Sequence, residues 1–188
     1  MAASAGGMTL TADGRLLIGQ AQATGPTNVR SNTASVVVET SLFSEDAISL
    51  TGISAEVTAG ATLASATDLT ITADTVTLGA DALAAAGMDA DGNLRTTGDL
   101  SVTTGILAAT DASLAAAGDA SLTIDEILNM PRTHQVLQVT GVGTWICPKV
   151  RQNEIAPTCF MLGENHVEGG RLEPDPKVTL PTGLEDIQ

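Results

Sequence analysis

Apolar residues recur along the middle of this chain at a short, steady interval. One anchor per segment gives Leu50, Val57, Leu63, Leu69, Val76, Leu83, Leu94, Leu100, Leu107, Leu114 and Leu122, with steps of 7, 6, 6, 7, 7, 11, 6, 7, 7 and 8 residues. Around several anchors apolar and polar residues alternate, as in "AISL", "DLTI", "TVTL", "DLSV" and "SLTI". Period two is the mark of a strand with one buried face. A seven-residue beat also fits a coiled coil, but that needs a second apolar position three or four residues on and strong helix formers. Here Gly52, Gly60, Gly79, Gly87, Gly92, Gly98, Gly105 and Gly118, with many Thr, penalise a helix and suit strands and turns.

Each unit therefore reads as a very short strand and a tight corner. Three units take about 21 residues, close to one coil of a parallel β-helix, whose inward face is buried only when coils stack. The expected class is all-β: a β-helix or β-solenoid with a small β-rich C-terminal cap. The same beat fits a single-chain solenoid and an intertwined trimer in which three chains share one axis, and the near absence of large inward side chains favours the trimer, whose axis is tight. The interior must be narrow, because aromatics are 2% of the chain, with one Trp, two Phe and no Tyr, and buried area must come from Ala, Val, Leu and Ile instead. The step of 11 falls at "GMDADGN", where an inserted turn accounts for it.

Four segments follow. Residues 1–46 form an N-terminal β segment, a possible attachment base, with "GRLLIGQ" and "ASVVVET" as strands and "TGPTN" as a turn. Residues 47–124 are the repeat shaft. Residues 125–168 are a cap. It opens with "DEILNMPR", read as one helical turn with Asp125 near its start and Pro131 at its stop, and it holds the only Trp, both Cys and both His. Residues 169–188, with three prolines, form an extended arm.

Charge and motifs exclude more than they assign. A net charge of −14 with 8 Lys and Arg argues against nucleic acid and against docking on anionic lipid. No run approaches the about 18 apolar residues of a membrane helix. "MAASAGGMTLTADGR" lacks the basic and apolar regions of a secretory signal, so the expectation is a soluble chain made in the cytosol. "DADGN" (Asp89 to Asn93) resembles the opening of a calcium loop. Leu100 stands where the loop's bidentate acid belongs, and an Asp-Gly turn is the better reading. His134 and His166 with Cys147 or Cys159 lack any nucleophile elbow or cysteine-protease context. Glu45-Asp46 and Glu185-Asp186 read as solvated surface rather than glycosidase carboxylates, because sugar-cleaving grooves stack aromatics that the repeat lacks. No catalytic residue, metal ligand or cofactor is assigned. Cys147 and Cys159, with eleven residues between them, fit a disulfide or two free thiols. The candidate contact residues lie in the cap and arm: Trp145, Phe160, Arg171, Leu172, Val178 and Leu180. The Pro-spaced "GGRLEPDPKVTLP" suits strand addition to a neighbour's sheet edge.

"DADGNLRTTGDLSVTTGILAATDASLAAAGDASLTI" resembles two groups, over about residues 47–124. One is the repeat of bacteriophage tail spikes, tail fibres and related injection needles, where "G-x-L-x-V" units build trimeric β-helical shafts. The other is the filamentous-haemagglutinin type of secreted adhesin, whose similar repeats build a single-chain β-helix. Neither hands over a catalytic residue. The first resemblance implies a non-enzymatic structural component of a phage or phage-like particle, a homotrimer located in the virion. Its partners would be other virion or assembly proteins and a host surface receptor, with no nucleic acid and no membrane insertion. The second implies a fragment of an extracellular adhesin. An N-terminus that starts at a plausible initiator Met without an export signal, and a length of 188 residues, favour the first expectation.

Overall fold

The computed structural model describes residues 2–95, 97–129, 138–142 and 145–146. Every strand pairing in the sheet is parallel and no helix occurs among these residues. The strands wind into a β-solenoid of about six coils with three walls. The first wall stacks β1 (Ala2–Ser4), the second half of β3 (Leu16–Ala23), the second half of β5 (Ser35–Ser44), β7 (Thr62–Ser65), β9 (Leu83–Ala86) and the start of β11 (Ser113–Asn129). The second wall stacks β2 (Met8–Ala12), β4 (Thr27–Ser31), the first halves of β6 (Ile48–Val57), β8 (Leu69–Leu78) and β10 (Leu100–Ala109), and the middle of β11. The remaining halves of β3, β5, β6, β8, β10 and β11 form the third. Two further strands, β12 (Gln138–Val142) and β13 (Trp145–Ile146), pair with β11 and continue the stack.

Strand alternation sends every second residue inward, and parallel register piles like positions into columns. On the second wall Leu10, Val29, Leu50, Ile71, Val102 and Leu122 form one column, with successive members 19, 21, 21, 31 and 20 residues apart. On the third wall Leu16, Val36, Ala55, Val76, Leu107 and Ile127 do the same. On the first, the column is Ala21, Leu42, Leu63, Ala84 and Leu114. These columns converge on one aliphatic core, with Leu10, Leu16 and Ile127 half-buried at its ends. One chain closes that core by itself, so the fold is the single-chain form and not the intertwined one that the small inward residues favoured: Leu and Ile alternate with Ala and Val across the three walls and fill the interior of a single coil.

Nine of the eleven sequence anchors are buried in it, from Leu50 through Leu122. Leu83 and Leu94 are not. In β9 the inward positions are Ala84 and Ala86, while Leu83 lies outside the wall and Leu94 is 41% exposed. The expected helical turn at 125–132 is also overturned, since β11 runs as strand through Asn129. Glu126, Ile127 and Leu128 pair with Ile106, Leu107 and Ala108, and the ladder with Ile127 packed on the core outweighs a local propensity worth a few tenths of a kcal/mol per residue.

Corners need backbone that strands cannot supply. Between the third and first walls Gly60, Asp81 and Asp111 occupy one stacked position, and all three have positive φ (70°, 59° and 47°). Ala61 N–H donates to the Thr58 carbonyl and Ala82 N–H to the Gly79 carbonyl, both at 3.0 Å, closing turns whose third residue is left-handed. Gly and Asp are the residues that tolerate this. Buried hydroxyls close other corners. Ser44 donates to the Gly25 carbonyl (2.7 Å) and accepts from Asp46 N–H (3.1 Å); Ser31 donates to the Gly14 carbonyl (2.8 Å) and accepts from Ala34 N–H (3.1 Å).

Because a column member is buried only when both neighbouring coils are present, position along the rod should decide its worth. Ile71→Ala, mid-column and 1% exposed, is expected to cost about 2–5 kcal/mol in urea unfolding. Leu10→Ala, in the same column at the half-buried first coil, should cost less. Equal losses would contradict stacking as the source of stability.

Candidate functional site

The one irregular coil is ten residues longer than its predecessor, since Ile71 and Val102 stand 31 apart against 21 for Leu50 and Ile71. The excess leaves at Gly87 and returns at Gly98. Both have positive φ (72° and 141°), and their backbones touch. A Cβ on Gly98 would overlap Gly87 and lie 2.7 Å from the Thr67 carbonyl oxygen. Gly87 N–H donates to the Thr67 carbonyl (2.8 Å) and Gly118 N–H to the Gly98 carbonyl (2.9 Å). The corner ladder is thus carried across the excursion and the coils stay in register.

Between the glycines the chain forms a small hairpin. Met88 and Leu94 make an antiparallel bridge, and Asp89 N–H donates to the Asn93 carbonyl at 2.9 Å. The Asp89 carboxylate accepts from the backbone N–H of Asn93 (2.9 Å) and Asp91 (3.0 Å). The Asn93 N–H, aided by that of Asp91 and by the charge of Arg95, holds the Asp89 carboxyl below its ordinary value. The "DADGN" segment is therefore a turn whose first acid is turned onto its own backbone. No group of three or more potential metal ligands occurs among the described residues.

Met88 folds back over the outside of the first wall. There it joins Ala64, Ala85 and Ala115, with Phe43 and Leu83 packed alongside, in a second apolar cluster. Ala85 is outward-facing yet fully buried. Sequence reading missed this cluster because Phe43 and Met88 stand 45 residues apart and only the coil register brings them to one surface.

The outer side of the second wall is different. Its two outward columns are Thr9, Asn28, Ser49, Thr70, Ser101, Ser121 and Thr11, Arg30, Thr51, Thr72, Thr103, Thr123. Ten of these twelve side chains end in a hydroxyl, and none of the five pairings that build this wall shows a register shift. Along one border Asp68 accepts from Asp99 N–H and Asp99 from Asp119 N–H, both at 2.9 Å, so these carboxylates clip successive coils together. The third wall carries no such repeat: its outward column is Leu17, Val37, Glu56, Thr77, Ala108 and Leu128. The signal for the hydroxyl columns was present in the sequence, as "TLT", "SLT", "TIT", "SVT" and "SLT", but only register shows that they align.

Of the residues expected to make contacts, Trp145 lies on β13, where it pairs with Leu122 at the end of the second wall. Phe160, Arg171, Leu172, Val178 and Leu180 lie outside the described residues, as do Cys147, Cys159, His134 and His166. No protein-family model, no curated protein and no solved structure matches the chain.

The hairpin depends on an ionised Asp89, which gives a test with a defined sign. A depressed carboxyl contributes order above its ordinary value of 3.8 and loses it as pH falls through the lower folded value. Amide protection of Asp91 and Asn93 should hold at neutral pH and vanish in acid. At neutral pH Asp89→Ala should speed tryptic cleavage at Arg95 while the β circular dichroism is unchanged. Cleavage at the wild-type rate would show that the carboxylate does not order the turn.

Proposed function

We propose that this protein is a non-enzymatic structural component of a phage or phage-like particle, a tail fibre, spike or decoration protein in which the solenoid is a rigid shaft. The observation that carries the reading is the column-stacked core. Coil after coil repeats the same aliphatic positions in register, and ladders of backbone and Asp carboxylate bonds run along the rod. Such a body resists bending and presents its ends and walls to neighbours. In this reading the chain acts in the virion as a homotrimer, three rods side by side. The segment after the shaft, including Trp145, Phe160, Arg171, Leu172, Val178 and Leu180, contacts other assembly proteins or a host receptor.

A second reading, a fragment of a secreted β-helical adhesin, draws support from one observation: a single chain closes its own core, as the haemagglutinin-type repeat does.

Fractionation separates the two. Mass spectrometry of density-purified particles should find the chain at stoichiometric level, and light scattering should give three times the 19.0 kDa chain mass. Recovery in the particle-free secreted fraction would replace the first reading with the second. A stable monomer would remove the trimer, and turnover of a polysaccharide would remove the non-enzymatic assignment.

A further inference from the structure

We propose that the outer side of the second wall is an ice-binding surface. From the third coil to the sixth its two columns are Ser49, Thr70, Ser101, Ser121 and Thr51, Thr72, Thr103, Thr123, eight hydroxyl side chains without a break. Asn28 and Arg30 interrupt the grid in the second coil, where the Arg30 guanidinium donates to Asn32 at 2.8 Å, and Thr9 and Thr11 resume it in the first.

Two features make this array a template. The first is metric. Parallel strands stand about 4.7–4.9 Å apart, and alternate residues along a strand are about 6.6 Å apart, so the hydroxyls occupy a two-dimensional grid with those repeats. Ice also presents its water as a regular two-dimensional lattice on a crystal face, so a regular grid of hydroxyls can meet it at many points at once where a varied polar surface cannot. Five of the eight side chains are Thr, which is stiff at χ1, and these fill the whole second column, so most of the grid is held before any ligand arrives. The second feature is valence. Among the described residues none of the eight hydroxyls has a hydrogen-bond partner in the protein. Of the five buried hydroxyls among the described residues, those of Ser31, Ser44, Ser65 and Thr104 bond to backbone and that of Thr27 has no partner. Each outward Thr thus offers water a free O–H beside a methyl that water must cage.

The surroundings keep the grid clear. The ten-residue excursion leaves at the corner before this wall but folds onto the first wall. Asp68 and Asp99 on one border each bond, through one carboxylate oxygen, to the backbone of the next coil. Asp74 and Asp125 on the other stand two positions beyond Thr72 and Thr123, past the end of the grid. A crystalline polysaccharide is the other periodic ligand to weigh. Such faces are gripped by aromatic rings, and neither outward column has one. Such a wall would serve a particle component and a secreted chain alike.

The test uses the full chain in a slowly growing ice hemisphere and in a recrystallisation assay. The wild type should concentrate in the ice and suppress crystal coarsening. Thr72→Tyr, a bulky ring in the middle of the grid, should lower ice uptake about tenfold, a loss of about 1.4 kcal/mol. Thr77→Tyr on the third wall should leave it unchanged. If Thr72→Tyr disturbs the β circular dichroism, Thr72→Val and Thr103→Val, which keep shape and strand preference, replace it, with the same direction expected. Exclusion of the wild type from ice would overturn the proposal. So would equal losses from Thr72 and Thr77 variants, or binding to cellulose or chitin that depends on Thr72 without uptake into ice.

Discussion

A solenoid coil cannot bury its own inner face. Each inward side chain is covered by the residue at the same position in the coil above and below, and by the two opposite walls. Register is therefore the constraint on which the rest depends. A slip of one residue in any coil would turn its inward set outward and leave a void in three columns at once. The structure spends its special residues on preventing that. Positive-φ residues Gly60, Asp81 and Asp111 set one corner in three successive coils, buried hydroxyls close others, and the Asp68–Asp99–Asp119 ladder ties three successive coils together.

The same constraint explains why the long coil is harmless. An insertion in a strand would shift register, but one between two touching glycines adds chain without adding rise. Gly87 continues the ladder from Thr67 and Gly98 passes it on to Gly118. Loop closure of ten residues adds little entropy beyond a shorter loop, and Met88 recovers apolar contact on the outside of the first wall.

What could be read from the sequence follows from this. The six-to-eight-residue beat is the spacing of walls, and it was legible because one large aliphatic per wall is almost enough to specify the core. It failed where the core is built from Ala. At β9 the inward residues are Ala84 and Ala86, and Leu83 drew the eye to the wrong side of the strand. It failed also at Asp125, where local helix signals competed with a ladder that only the partner strand Ile106–Ala109 supplies. The outer apolar cluster was invisible, because its members share nothing along the chain and meet only through coil register. The contact residues placed in the cap rested on composition, and Trp145 alone of them falls on a described strand.

Outward residues feel none of the packing that fixes the inner columns, so their pattern carries separate information. The first wall uses its outer side to seat the Met88 hairpin, and the third mixes Leu, Val, Glu, Thr and Ala. On the second wall hydroxyls recur in both columns across four consecutive coils, although strand preference alone would accept Val, Ile or Tyr equally well there. Solubility does not require it either, since the chain's acids already supply that. A repeated neutral hydroxyl gains something over a varied polar surface only if what it meets repeats as well. The coil that breaks the pattern, with Asn28 and Arg30, lies in a part of the chain that is nearly neutral, with Arg15 and Arg30 against Asp13 up to residue 34, whereas acids dominate the described residues beyond it. The rod is thus divided along its length into a nearly neutral first end and an acidic body, and the unbroken grid belongs wholly to the acidic part, so the hydroxyl repeat is a feature added to a surface whose acids already keep it wet.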